Sequence, residues 1–88
     1  MNTGNLYGTV SDEQGTALPG VTVRLRGSAA PSVQVTDAQG QFRFLSLPPG
    51  SYSLKAELEG FSTIEYPRVN ISLGRNTNIE VTMSPAIE

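Results

Sequence analysis

Along most of this chain, apolar and polar residues change places at every second position. Leu6, Gly8 and Val10 alternate with Tyr7, Thr9 and Ser11, and Val21, Val23 and Leu25 alternate with Thr22, Arg24 and Arg26. Val33 and Val35 alternate with Gln34 and Thr36, and Phe42 and Phe44 with Gln41 and Arg43. Tyr52, Leu54, Ala56 and Leu58 alternate with Ser53, Lys55, Glu57 and Glu59. Side chains of an extended strand point to opposite faces in turn, so each run predicts a strand with one packed and one wet face. A helix would need apolar residues three and four apart, and no window holds that spacing for three turns.

The stretch from Phe61 to Leu73 changes phase. Ile64 and Tyr66 set one parity, whereas Val69, Ile71 and Leu73 set the other, with Pro67 at the change. A one-residue slip turns every side chain to the opposite face unless a bulge absorbs it, and proline cannot donate to a ladder. The pattern therefore predicts two strand pieces, or one edge strand bulged at Pro67. A final strand is predicted over Asn78 to Met83, with Ile79, Val81 and Met83 inward. Between these runs stand turns of recognisable chemistry. Asp12-Glu13-Gln14-Gly15 and Asp37-Ala38-Gln39-Gly40 share the form Asp-x-Gln-Gly, in which the carboxylate caps nearby N–H groups and glycine takes the left-handed position. Pro19-Gly20, Pro48-Pro49-Gly50 and Leu73-Gly74-Arg75-Asn76 mark further turns. The spacing gives about seven strands, as expected for a sandwich or small barrel. Two packed sheets are the economical way to bury so many one-faced strands, so an antiparallel Greek-key β-sandwich is expected. Residues 1–88 are read as a single domain, with its core over about 5–83 and a loose tail over 84–88.

Composition narrows the chemistry. The 88 residues include no Cys, His or Trp, so there is no disulfide, no thiolate nucleophile and no imidazole for proton transfer or metal ligation. Charged residues are 16% of the chain and the net charge is −2. A nucleic-acid partner would call for a basic surplus, and none exists. Arg24 and Arg26, the local basic cluster that Arg43 would join if the fold brought it near, read as a solvated sheet surface. No run is long enough to span a membrane as a helix, and no charged-then-apolar segment reads as a signal peptide. The segment Met1-Asn2-Thr3-Gly4 is polar, and any export signal of a parent protein is expected outside this chain.

Taken in order, several pieces resemble a known family. They are Gly8-x-Val10-x-Asp12-x-x-Gly15, Leu18-Pro19-Gly20-Val21-x-Val23, Gly27, Thr36-Asp37-x-x-Gly40-x-Phe42-x-Phe44, Leu47-Pro48-Pro49-Gly50-x-Tyr52-x-Leu54 and Gly60-Phe61. This series, running from about Gly8 to Leu73, resembles the carboxypeptidase regulatory-like domain, a relative in fold of transthyretin and of the B-type repeats of collagen-binding adhesins. The resemblance implies a seven-stranded prealbumin-like sandwich without catalytic activity or cofactor. Such domains are appended to carboxypeptidases, to TonB-dependent outer-membrane receptors and to other exported or surface proteins. The expected partners are therefore neighbouring domains of an exported bacterial parent or another surface protein, with no nucleic acid and no direct membrane insertion, and the isolated domain is expected to be a monomer. The location implied is periplasm, outer membrane or cell surface.

A few residues invite sharper readings. Lys55 is the only lysine. Related adhesin repeats form Lys–Asn or Lys–Asp isopeptide bonds in a desolvated core, but Lys55 shares the parity of Ser53 and Glu57, so it is expected on the wet face. Asp12, Glu13 and Asp37 would form a calcium site if their turns converged, although turn capping already accounts for the two aspartates. Tyr7, Thr9 and Leu45 are expected on an outer sheet face, the basis of an alternative reading as a carbohydrate-binding module with a polysaccharide partner. Phe42, Phe44, Tyr52 and Phe61 are expected in the core. Asn70-Ile71-Ser72 matches a glycosylation triplet, which arises often by chance. The transthyretin-like hydrolase of the urate pathway shares this architecture and relies on histidines and a C-terminal tetrapeptide. This chain has no His and ends Ser84-Pro85-Ala86-Ile87-Glu88.

Overall fold

The structure, a computed structural model, describes residues 2–27 and 31–86. The chain crosses repeatedly between two sheets. Strands β1 (Gly4–Asp12), β4 (Gln41–Leu47) and β7 (Asn76–Met83) form one, in the order β4-β1-β7. Strands β2 (Thr22–Arg26), β3 (Ser32–Val35), β5 (Gly50–Glu57) and β6 (Ile64–Ile71) form the other, in the order β3-β2-β5-β6. This is the all-β, seven-stranded sandwich the sequence predicts. One pairing departs from a purely antiparallel plan: β1 and β7, the first and last strands, run parallel from Asn5↔Asn76 to Asp12↔Met83. Parallel neighbours need a long connection, and here nearly the whole chain supplies it.

The inward residues of the two sheets meet in one core. Leu6, Val10, Val21, Val23, Leu54 and Val81 are fully buried. Phe42 and Phe44 pack edge to face with ring centroids 5.9 Å apart, and both are buried, as is Tyr52. Phe61 lies at the margin of this core and is only partly buried. Ile79 is also partly buried, while Val81 and Met83 face fully inward.

The edge strands carry the departures from simple alternation. Strand β6 is an edge, and Pro67 lies in it. Tyr52 pairs with Val69 and Leu54 with Tyr66, so one residue of β5 faces two of β6, Pro67 and Arg68. This bulge lets Ile64 and Tyr66 face the same way as Val69 and Ile71. A second bulge lies in β4, where Asn5 opposes both Leu45 and Ser46. Ser46 sits at φ 59°, and its N–H is held by the Asn5 Oδ1 at 2.9 Å. The extra residue turns Leu47 inward, a core position that strict alternation from Phe44 would place outside.

Four expectations need correction. Val33 and Val35 were expected on a packed face, yet they are 49% and 58% exposed. They pair with Arg24 and Thr22, on the outer side of β2. Because β3 is a four-residue edge strand, little of the opposite sheet lies over its inner side, and its phase is set by the pairing with β2. Thr36, expected on the wet face, is instead buried: its Oγ1 accepts the Val21 N–H at 2.9 Å and donates to the Leu18 carbonyl at 2.7 Å. Leu73 was assigned the inward parity of Ile71 but is 57% exposed, since β6 ends at Ile71 and Leu73 belongs to the turn. The tail, too, is tied down as far as Ala86. Ser84 accepts the Ser62 N–H at 2.8 Å, and the Ala86 N–H reaches the Gly60 carbonyl at 3.0 Å. Ile87 and Glu88 lie outside the described residues.

Candidate functional site

The two Asp-x-Gln-Gly turns adopt the geometry their sequence predicts. The Asp12 Oδ1 accepts the N–H groups of Gln14 (2.8 Å) and Thr16 (3.0 Å), and the Asp37 Oδ1 accepts those of Gln39 and Gln41 (2.9 Å each). Gly15 and Gly40 stand at φ 84° and 73°. Glu13 accepts a hydrogen bond from the Ser84 hydroxyl at 2.9 Å. Each of the three acids is thus committed to closing a turn or holding the C-terminal segment, and among the described residues no three acidic groups are placed to share a cation.

The outer face of the four-stranded sheet carries charge but no convergent constellation. Lys55 is exposed there, paired in register with Arg24 and Glu65, away from the core an isopeptide bond would require. The Arg24 Nε donates to the Glu57 Oε1 at 2.8 Å, a diagonal pair between β2 and β5. That hydrogen bond, with the added fields of Arg24 and Lys55, holds the Glu57 carboxyl below its ordinary value. Arg26 shares this face, but Arg43 lies on the outer side of the other sheet, so the three arginines do not gather. Asn70 is exposed near the end of β6.

The outer face of the three-stranded sheet is different. Here β1 is paired on both sides, and residues in register form two rows across the strands: Arg43–Tyr7–Asn78 and Gln41–Thr9–Glu80. Between them the backbones of Phe42, Gly8 and Ile79 form the floor of a groove of about 710 Å³, flanked at the β4 edge by Gln34, Val35 and Asp37. The Phe42 ring packs directly beneath Gly8, leaving no room there for a methyl group. Tyr7 and Thr9 thus lie on the outer face as expected. Leu45 is half-exposed beside them, at the bulge, and does not line the groove. The sequence singled out two of the six wall residues. Gln41, Arg43, Asn78 and Glu80 are legible only as wet-face residues until the pairing of β7 with β1 is known.

Comparison with known proteins gives these surfaces a context. Over 93% of its length the chain is 29% identical to the TonB-dependent transporter Oar of Myxococcus xanthus, and it spans 9% of that curated relative. Among solved structures it superposes on the Bacillus anthracis TIE protein with a TM-score of 0.81, at 19% identity, covering 97% of this chain and 17% of that one. It also superposes on Klebsiella pneumoniae 5-hydroxyisourate hydrolase with a TM-score of 0.69, at 26% identity, covering 94% and 92% of the two chains. Residues 5–84 match the model of one family. The motif series, the two-sheet sandwich and this match agree that the chain belongs to the carboxypeptidase regulatory-like domain family.

Proposed function

We propose that this chain is a non-catalytic accessory module of a larger exported protein, a TonB-dependent outer-membrane receptor in which it forms an extramembrane domain. The observation that carries the reading is the likeness of nearly the whole chain to a small part of one such transporter. Its partners on this reading are the neighbouring domains of the receptor or another surface protein. Fold alone does not decide function, so the chemistry of the surface must agree. Two observations support the non-catalytic part: the acids at the turns are engaged by backbone and hydroxyl donors, and the chain supplies no histidine or cysteine.

The non-catalytic part is tested against the enzyme of the same architecture. Incubated with 5-hydroxyisourate, the 88-residue chain is expected to leave the buffer rate of hydrolysis unchanged, while the Klebsiella pneumoniae enzyme accelerates it. Turnover above buffer that is saturable in substrate would contradict the reading. The receptor part is tested by the size and location of the native protein.

A further inference from the structure

The groove on the outer face of the three-stranded sheet has a chemistry that goes beyond a spacer role. Its floor is backbone already paired on both sides of β1, so an added strand finds no free N–H or C=O there. Recognition must come from the side chains of the two walls. Arg43, Tyr7 and Asn78 offer a fork of donors, a phenol and an amide; Gln41, Thr9 and Glu80 offer an amide, a hydroxyl and a carboxylate. Among the described residues, none of these six side chains makes a hydrogen bond or ion pair, whereas Arg24 and Glu57 on the opposite face pair with each other.

The wall composition selects the occupant. With Asp37 at the β4 edge, the lining carries one cation, Arg43, against two carboxylates, Glu80 and Asp37, which disfavours a polyanion. Val35 is the one large, well-exposed aliphatic side chain in the lining, which is little apolar surface for a protein hot spot or a lipid. Closely spaced amides, a guanidinium and a carboxylate are suited to hydroxyl groups that both donate and accept, and the Tyr7 ring offers an apolar face beside them. Strands about 4.8 Å apart make the rows about 10 Å long, and alternate residues set them about 7 Å apart. We propose that this trough binds a neutral oligosaccharide, laid across the strands between the Arg43–Tyr7–Asn78 and Gln41–Thr9–Glu80 rows.

The test is an amide-resolved NMR titration of the 88-residue chain with linear oligosaccharides of glucose, mannose and N-acetylglucosamine, each up to about 10 mM, a range that reports weak binding. Saturable shifts are expected at residues 7–9, 41–43 and 78–80 with at least one of these sugars. The Gln41→Ala/Asn78→Ala variant should weaken that binding at least about tenfold, while Arg24→Ala on the other sheet should leave it unchanged. Both variants replace exposed side chains, and a dispersed spectrum shows that each remains folded. Shifts centred on the four-stranded sheet, equal affinity in the double variant, or no saturable shift with any of the three sugars would overturn the proposal.

Discussion

Two turns with the same four-residue form occupy different surroundings, and the difference sits at their glycines. Gly15 and Gly40 both hold a positive φ, which an L side chain adopts at a penalty of about 1–2 kcal/mol. Around Gly15 there is open space, but a methyl group on Gly40 would lie 2.5 Å from the Val10 carbonyl oxygen. Gly15→Ala is therefore expected to lower stability by about 1 kcal/mol and Gly40→Ala by about 3 kcal/mol or more, as read by urea unfolding. Equal losses would mean that the Asp37 turn does not pack against β1. Thr36 poses a related case. Its hydroxyl ties the Val21 N–H and the Leu18 carbonyl to the end of β3. Thr36→Val keeps the shape but strands both partners, so a loss of about 2–3 kcal/mol is expected, with Thr36→Ser recovering most of it. The capping aspartates are legible in sequence because their partners are two and four residues away. Thr36 and the close approach at Gly40 are not, because their partners lie 15 to 30 residues earlier in the chain.

At the scale of strands, alternation reads correctly wherever a strand is covered by the opposite sheet. Strands β1, β2 and β5 and the Phe42–Phe44 part of β4 follow it, and the phase change at Pro67 marks a bulged edge. It fails at β3, where an apolar pair faces outward, and past Ser46, where the bulge brings Leu47 inward without a proline to announce it. The two valine environments give a direct comparison. Val35→Thr should change stability by no more than about 0.5 kcal/mol, whereas Val23→Thr, which buries a hydroxyl, should lose about 1–3 kcal/mol. Similar losses at both sites would put β3 in the core. The link between β2 and β5 has a pH signature. The Glu57 carboxyl is lowered in the folded chain by its bond to Arg24, so the stability it contributes is present above the unfolded carboxylate range and is lost as pH falls through the folded value. Both groups are substantially exposed, so the effect is small and screened by salt. Melting curves from pH 7 down to about pH 3 should show a shallower acid loss in Glu57→Gln, and an unchanged slope would mean the pair contributes nothing.

For the molecule as a whole, the sequence carries fold class and family membership because both rest on turn residues and inward parity spread along the chain. The groove was only partly legible. Its walls pair residues 32 to 71 positions apart, and the parallel pairing of β1 with β7 that aligns them leaves no local trace. The same separation of scales applies to function: the surface bears on binding, while the assignment as a module concerns a protein of which this chain is a small part. The measurement that bears most directly on that assignment is the size and location of the native protein. Antiserum against the 88-residue chain should detect, in fractionated cells of its native host, an outer-membrane species many times larger than 9.4 kDa. A soluble cytoplasmic species close to 9.4 kDa would contradict the account.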